Sequence, residues 1–288
     1  MNQVKLFIDL TRLKKPIGFM LLFWPCAWGL TLAYDFKESL DNYYLYLFLF
    51  FLGAVLMRSA GCIVNDILDK EFDAKVFRTK NRPIASGKVS IKLGIFYSLL
   101  LCLLALMVLL NFNLFTIILA LASMPLAFTY PLMKRYTYWP QLFLGITFNY
   151  GIVLGWTAMK GQVDILPLIL YFGAIFWTLG YDTIYGYQDI KDDEVIGLKS
   201  TSIKFKHNSK LFIFICYLFL NVSILIVGYF SKLSFYFYLF MIVSMIQIFL
   251  YQVRNFNSMD PDKCLAIFKS NNLYGLLIFF GLLFGKIF

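Results

Sequence analysis

The chain has 288 residues, of which 60% are hydrophobic and 19% aromatic, and its mean hydropathy is +0.74. Soluble domains are roughly 45 to 50% apolar, so this composition excludes an ordinary soluble enzyme and indicates one polytopic membrane domain over residues 1–288. The formal charge is +10, from 26 Lys and Arg against 16 Asp and Glu. The positive residues lie in short segments between apolar runs, where they set topology and contact lipid headgroups, which argues against nucleic acid as a partner.

Nine apolar runs approach the length of about 20 residues that a helix needs to cross a bilayer core. The first follows a basic start and resembles a signal peptide, but it lacks a clear small-residue cleavage site, so we expect a retained helix. The predicted fold is therefore all-α, with nine transmembrane helices around a central cavity. The runs are 17–34, 43–64, 93–110, 115–130, 142–158, 165–187, 211–230, 235–251 and 273–288.

The distribution of positive residues predicts the orientation of the helices. Placing the N-terminus inside leaves only Lys37, Lys160, Lys232 and Lys286 in outer segments, with Arg58 inside the second helix. Inner loops are enriched in Lys and Arg, so we expect a cytoplasmic N-terminus. The expected location is the inner membrane of a bacterium, and a mitochondrial inner membrane is the alternative.

Two aspartate-rich stretches end the second and sixth predicted helices, both on the cytoplasmic side. If each helix continues, the polar residues of each stretch fall within an arc of about 100° or less, because successive residues turn by 100°. Carboxylates beside a membrane are costly unless they pair with a cation or bind a metal. We therefore expect the two helices to face each other and to clamp a diphosphate through Mg²⁺. The residues are Asn65, Asp66, Asp69 and Asp73 in the first stretch and Asp182, Asp189 and Asp193 in the second.

The simpler explanation of the acidic residues is that they are solvated loop charges that balance nearby lysines. This explanation suits one acidic cluster better than two. The explanation does not suit Asp182, because this residue lies some two turns inside an apolar run. Arg58 shares the helix face of Asn65 and Asp69 and lies about 10 Å deeper than Asn65, at 1.5 Å per residue. Arg58 either snorkels or pairs with Asp182, or it binds an anionic group of a second substrate.

Basic residues accompany the acidic stretches, namely Lys75, Arg78, Lys80, Arg82 and Lys191. The orientation of the helices in the membrane explains part of this positive charge. Stabilisation of a departing diphosphate would explain the rest. Tyr185 lies on nearly the same helical face as Asp189, where its ring could shield an allylic cation. His207 is the single histidine and lies in a basic loop, so a multi-histidine metal site is excluded.

Four motifs resemble those of the UbiA-type intramembrane aromatic prenyltransferase superfamily. They are N-D-x-x-D-x-x-x-D at 65–73, D-x-x-x-D at 189–193, R-T-K-N-R-P at 78–83 and Y-P-L-M-K-R at 130–135. The stretches at 12–18, 58–62 and 197–201 are most similar to the branch that prenylates 4-hydroxybenzoate in ubiquinone biosynthesis. Lys14 departs from that pattern, where relatives often have an acidic residue, but it lies outside both acidic motifs.

The resemblance implies a reaction and a set of functional residues. Mg²⁺ would be held by Asp66, Asp69, Asp73, Asp189 and Asp193, with Asn65 as a further oxygen ligand, and would bind polyprenyl diphosphate. Ionisation would give an allylic cation, which the ring carbon ortho to the phenol of 4-hydroxybenzoate would attack. Position and charge in the sequence, beside the motifs, give the candidate substrate-binding residues, with Arg58 inferred to bind the benzoate carboxylate. They are Arg58, Asn65, Lys75, Arg78, Arg82, Lys134, Arg135, Asp182, Tyr185 and Lys191.

Other functions remain open at the level of sequence. Haem O synthase and the menaquinone and homogentisate prenyltransferases are similar enzymes with other acceptors. A cation-coupled transporter would explain paired intramembrane charges, although transporters place their coupling sites near the bilayer midplane and not at its edge.

Overall fold

The structure is a computed structural model that describes residues 3–37 and 39–288. Within these ranges the regular secondary structure is entirely helical. The α-helices are α1 Gln3–Thr11, α2 Ile17–Ala33, α3 Asp41–Leu68, α4 Lys70–Asp73, α5 Ile91–Leu109, α6 Leu114–Thr129, α7 Met133–Tyr136, α8 Pro140–Asn149, α9 Gly151–Lys160, α10 Ile165–Gly186, α11 Ile190–Ile196, α12 Thr201–Lys204, α13 Ser209–Phe230, α14 Phe235–Met245 and α15 Pro261–Ile287. A 3₁₀ turn, Tyr130–Leu132, joins α6 to α7, and a π-helix, Ile246–Val253, extends α14.

Eight helical segments among the described residues are long and apolar enough to cross a membrane. They are α3, α5, α10, α13 and α15, together with the composite segments Leu114–Tyr136, Pro140–Lys160 and Phe235–Val253. The prediction of an all-α integral membrane protein is thereby confirmed. The remaining apolar helix, α2, has 17 residues, so a ninth span stays a prediction, as does the cytoplasmic N-terminus.

The short helix α2 lies at the centre of the bundle, and most of its residues are buried. It packs closely on α9 through glycines, because a Cβ added to Gly29 would lie 2.0 Å from the carbonyl oxygen of Ile152. A Cβ on Gly155 would likewise lie 2.3 Å from the carbonyl oxygen of Cys26. Small residues that let helix backbones approach are a general means of helix association in membranes. The glycines therefore fix α2 against α9.

Two tryptophans connect α2 to α10 and α15. The rings of Trp28 and Trp177 stack at a centroid distance of 4.9 Å. Trp28 donates a hydrogen bond to the carbonyl oxygen of Gly275 at 2.9 Å, and Trp177 donates one to Oδ1 of Asn271 at 2.7 Å. Both indole N–H groups are thus satisfied inside the bundle, as buried polar groups require. The contacts hold α10, which leads to the second acidic stretch, against the central helix.

Both acidic stretches contain helix breaks, so the continuous helix that was assumed in placing each stretch within one arc is not observed. The helix α3 ends at Leu68, and Asp69 has φ −98° and ψ 6° before α4 begins. Asp189, which precedes α11, has φ −120° and ψ 6°. These angles lie near the sparsely populated bridge region, where many active-site residues occur. Beyond the apolar run, polar side chains and water can satisfy backbone groups, so nothing compels the helix to continue.

The spacing within each motif survives the breaks. The backbone N–H of Asp73 donates to the carbonyl oxygen of Asp69 at 2.8 Å, and that of Asp193 donates to the carbonyl oxygen of Asp189 at 2.9 Å. Each pair of aspartates therefore spans one helical turn that begins at the break. The two motifs share this local structure although they end different helices.

The helices α3 and α10 occupy different parts of the bundle. The principal neighbours of α3 are α5 and α2, whereas those of α10 are α13 and α8, and α2 contacts both α3 and α10. The two acidic stretches are connected by the loop that follows α4, through Arg78 and Arg82. That the two helices face each other across a cavity stays a prediction.

Candidate active site

The aspartates of the first acidic stretch are buried, and two of them pair closely with arginines. Asp66 and Asp73 are 1% and 6% exposed. Asp66 forms an ion pair with Arg12, and its Oδ1 lies 3.2 Å from Nη1 of Arg82. The same Nη1 lies 2.7 Å from Oδ2 of Asp73. Arg82 therefore joins two carboxylates on either side of the helix break.

Asp69 lies at the break itself and contacts two cations from α7. Its Oδ2 accepts a hydrogen bond from the ammonium group of Lys134, and its Oδ1 lies 3.7 Å from Nη2 of Arg135. Arg135 also donates to the carbonyl oxygen of Leu68 at 2.5 Å, which caps the end of α3. Oδ1 of Asp69 is buried and has no hydrogen-bond partner among the described residues. Burial raises the pKa of Asp69 above its usual value, and the nearby Lys134 opposes that shift.

The second acidic stretch is bound by Arg78. Its Nε donates to Oδ1 of Asp189 at 2.7 Å, and its Nη2 bonds Oδ2 of the same carboxylate. Its Nη1 donates to the hydroxyl of Tyr185 at 2.9 Å, and the guanidinium carbon lies 5.3 Å from the centre of that ring. Burial, together with the charge on Asp189, raises the pKa of Asp193 to about 6. A carboxylate and a phenol thus converge on one arginine.

One loop, residues 74–90, supplies cations for both stretches. Arg82 binds the first stretch, and four residues earlier in the chain Arg78 binds the second. The loop is itself held in place, because the buried Thr79 donates a hydrogen bond to the carbonyl oxygen of Asp73 at 2.9 Å. The backbone N–H of Phe77 donates to Oδ2 of Asp192 at 3.3 Å. The loop therefore connects the two aspartate motifs into one charged cluster.

Arg58 lies apart from this cluster, on α3. It forms no hydrogen bond or ion pair with any residue in the described ranges, and its Nε is buried without a partner. The Phe148 ring centre lies 5.4 Å from its guanidinium carbon. Asp182 and Arg58 interact electrostatically without forming an ion pair. The direct pairing that was one alternative for these two charges is thus not what the structure shows.

Not every predicted residue joins the cluster. Lys75 and Lys191 are exposed, and neither forms an ion pair with a residue that the structure describes. Asn65 lies in the last turn of α3, where its carbonyl oxygen accepts the backbone N–H of Asp69 at 2.9 Å. Asn65 therefore adjoins the cluster, whereas the two exposed lysines make no ion pair with a described member of it.

Arg12 is a member of the cluster that the sequence did not reveal. It follows α1 and has a positive φ of 57°, which is uncommon for a residue with a side chain. This conformation turns the chain between α1 and α2 while the guanidinium pairs with Asp66. In the sequence Arg12 is one of several positive residues before the first apolar run, and only the tertiary structure distinguishes it from the others.

The cluster suits magnesium together with an anionic ligand. Carboxylate oxygens are the ligands that Mg²⁺ prefers, and Mg²⁺ commonly takes only one or two from the protein while phosphate oxygens and water complete its shell. Oδ1 of Asp69, which accepts no hydrogen bond from a described residue, is one oxygen that could serve as a metal ligand. Within the described ranges, three acidic, His or Cys side chains do not already converge on one point. Cations that neutralise the carboxylates here would also neutralise a phosphate.

An all-helical membrane bundle with two aspartate motifs, interleaved with arginine and lysine, suits a membrane enzyme that acts on a diphosphate ester together with Mg²⁺. The family model described as "UbiA prenyltransferase family" matches residues 22–280. The chain belongs to the UbiA prenyltransferase family, and the resemblance seen in the motifs is confirmed.

Curated relatives align with nearly the whole chain. It is 42% identical over 283 residues to the 4-hydroxybenzoate polyprenyltransferase, mitochondrial, of Rattus norvegicus, covering 98% of this chain and 75% of that protein. It is 41% identical over 290 residues to 4-hydroxybenzoate geranyltransferase 1 of Lithospermum erythrorhizon, covering 100% of this chain and 92% of that protein.

Solved structures share the fold. A UbiA homologue from Aeropyrum pernix K1 has a TM-score of 0.77 at 22% identity, covering 92% of this chain and 97% of that chain. A UbiA homologue from Archaeoglobus fulgidus, bound to GPP and Mg²⁺, has a TM-score of 0.70 at 16% identity, covering 96% and 99%. At these identities the likeness concerns the fold alone.

Proposed function

We propose that this chain transfers a polyprenyl group from polyprenyl diphosphate to 4-hydroxybenzoate, at the ring carbon ortho to the phenol, and releases diphosphate. The reaction would belong to ubiquinone biosynthesis and depend on Mg²⁺. The observation that carries the proposal is the cluster in which one loop joins two aspartate motifs through Arg78 and Arg82. The names of relatives that align with nearly the whole of this chain support the same acceptor.

The donor's diphosphate would bind at the charged cluster. Asn65, Asp66, Asp69, Asp73, Asp189 and Asp193 would hold Mg²⁺, which as a Lewis acid stabilises the charge that develops on the leaving group. Arg12, Arg78, Arg82, Lys134 and Arg135 would then turn from the carboxylates to the phosphate oxygens. Guanidinium groups suit this role because they bind phosphate through two parallel hydrogen bonds. The proposal gives no direct role to Lys75 or Lys191, which are exposed and have no ion pair with a described residue.

The pairing seen in the structure explains how such a cluster stays folded without substrate. A buried carboxylate that lacks a partner costs several kcal/mol, so each aspartate motif needs cations beside it. With Mg²⁺ held by the carboxylates, the same cations would be free to bind phosphate oxygens.

Aromatic side chains beside the cluster would protect the carbocation. The hydroxyl of Tyr185 accepts a hydrogen bond from Arg78, and its ring packs against that of Phe268 at a centroid distance of 4.5 Å. A ring face near an allylic cation stabilises it by cation–π interaction. The surrounding apolar helices would exclude from the bound substrates the water that would otherwise capture the cation.

Arg58 would bind the carboxylate of 4-hydroxybenzoate. Its buried Nε has no partner, and a buried guanidinium with free donors is a strong site for a carboxylate. Asp182 lies near enough to influence Arg58 without occupying its hydrogen-bond donors, and we assign it to the same end of the acceptor pocket. The acceptor would then lie between Arg58 and the charged cluster, with its ring toward the donor.

We place the protein in a bacterial inner membrane, with the charged cluster toward the cytoplasm. The excess of Lys and Arg on that side supports the orientation. A mitochondrial inner membrane is the alternative, because several relatives carry the word mitochondrial in their names.

The test is an assay of the purified full-length chain in lipid nanodiscs with geranyl diphosphate, 4-hydroxybenzoate and MgCl₂. We expect a product with the prenyl group ortho to the phenol, identified by mass spectrometry and NMR, and one diphosphate released per product. Turnover of haem B in place of 4-hydroxybenzoate would overturn the acceptor. Absence of diphosphate release with any acceptor would overturn the reaction.

A further inference from the structure

Arg58 is positioned by packing and not by hydrogen bonds. On the α2 side, a Cβ added to Gly18 would lie 2.9 Å from Nε of Arg58, 3.5 Å from Nη2 and 3.6 Å from the guanidinium carbon. On the α8 side, the ring of Phe148 lies 5.4 Å from the same carbon. A bare stretch of backbone and an aromatic ring therefore border this guanidinium.

The distance of 2.9 Å between an added Cβ at Gly18 and Nε of Arg58 is shorter than a normal contact between non-bonded atoms, which is about 3.5 Å or more. Any side chain at position 18 would therefore need Arg58 to move. The atoms in question belong to the far end of a long side chain, so the protein can accommodate an alanine without moving its backbone. Helix propensity alone favours alanine over glycine in α2, so the glycine is better explained by its neighbour than by helix stability.

We infer that Gly18 and Phe148 are positioning residues that set the location of the Arg58 guanidinium and thereby the enzyme's selectivity for an acceptor with a carboxylate. This inference rests on the proposed role of Arg58. Gly18 leaves room for the guanidinium, and Phe148 provides an aromatic ring against which it packs. Neither residue needs to touch the reacting atoms.

A modest displacement of Arg58 has a measurable consequence. An alanine at position 18 requires a shift of about half an ångström to restore a normal contact with Nε. Misplacement of an orienting group by about 1 Å can reduce a rate by about 100-fold, so we expect about a tenfold effect. The effect should appear in the KM for the acceptor, because the substitution does not alter the charged cluster that would bind the donor.

The experiment is a double-mutant cycle in the full-length enzyme, with geranyl diphosphate as donor and 4-hydroxybenzoate as acceptor. Gly18→Ala is made in the native background and in an Arg58→Ala background, and kcat and the KM for each substrate are measured. In the native background we expect the acceptor KM to rise about tenfold, with the donor KM unchanged. In the Arg58→Ala background the added substitution should have no further effect, because the group that it displaces is gone.

The matched control is Gly53→Ala, on α3. A Cβ there meets only Cγ1 of Val108 at 3.9 Å, which is an ordinary contact, so this variant should have native kinetics. Phe148→Leu provides a second route if Gly18→Ala does not fold. It should raise the acceptor KM several-fold in the native background only.

The outcomes separate this inference from the proposed function. If the native enzyme does not prenylate 4-hydroxybenzoate, the proposed function fails, and this inference fails with it. If it does, and Arg58→Ala raises the acceptor KM, two results overturn the inference alone. One is a Gly18→Ala variant with native acceptor KM, and the other is an equal loss in both backgrounds.

Discussion

Arg78 binds Asp189 through both oxygens of the carboxylate, with Nε 2.7 Å from Oδ1 and Nη2 bonded to Oδ2. The two residues are 111 positions apart in the chain. A planar guanidinium and a carboxylate match in this geometry, which lysine cannot reproduce. The pair attaches the loop after α4 to the second aspartate motif, and so it determines that the two motifs form one cluster.

Replacing Arg78 should weaken use of the donor. Arg78→Ala removes charge-assisted hydrogen bonds worth about 2 kcal/mol, so we expect kcat/KM for geranyl diphosphate to fall about 30-fold. Steady-state kinetics with geranyl diphosphate as the varied substrate measure this kcat/KM. Lys75→Ala is the matched control, because Lys75 belongs to the same loop but is exposed and has no ion pair with a described residue. Equal losses in the two variants would mean that only the general charge of the loop matters.

Replacing Arg58 should instead weaken use of the acceptor. In Arg58→Ala the acceptor KM, measured with 4-hydroxybenzoate, should rise about 30-fold, since a charge-assisted hydrogen bond contributes about 2 kcal/mol. The donor KM should stay within about twofold of the native value. The variant should also lose its preference for 4-hydroxybenzoate over phenol, which lacks the carboxylate. A retained preference would remove Arg58 from the acceptor site.

Arg12 contributes to both stability and donor binding. Truncation to alanine leaves the buried Asp66 with Arg82 as its remaining ion-pair partner, and loss of one partner of a buried pair is destabilising. We expect Arg12→Ala to lower the free energy of unfolding by ~2 kcal/mol and kcat/KM for the donor about tenfold. Urea unfolding in detergent and donor kinetics measure the two effects. Lys14→Ala, at an exposed position in the same turn, should change neither.

The membrane bundle and the chemistry of the site could be predicted because both depend on local patterns. Apolar runs of near-bilayer length give the spans directly. Aspartates at the ends of two such runs stand out because charge is expensive there. The positions of Asp69 and Asp189 within their motifs also follow from the sequence, but the helix breaks at these residues do not. Periodicity assumes a continuous helix, and a carboxylate is compatible with either conformation.

What the sequence could not reveal depends on the path of the chain between helices. Lys75 and Arg78 lie three residues apart in a basic loop, and either one suits a diphosphate by charge. Only the folded loop turns Arg78 toward Asp189 and Lys75 toward solvent. Arg12 is a similar case, since its contact with Asp66 spans 54 positions and depends on a left-handed turn after α1. The role of Gly18 requires the location of Arg58 in three dimensions.

The central claim is that the two aspartate motifs form a single donor site. Isothermal titration of geranyl diphosphate into the full-length protein with MgCl₂, in nanodiscs, tests it most directly. We expect one donor bound per chain, and a loss of about 100-fold or more in affinity both in Asp69→Asn and in Asp189→Asn, because several charged contacts of about 2 kcal/mol are lost together. Glu194→Gln, which affects only an exposed pair with Lys206, should bind normally. Native affinity in either aspartate variant would contradict the claim, because that motif would then not belong to the site.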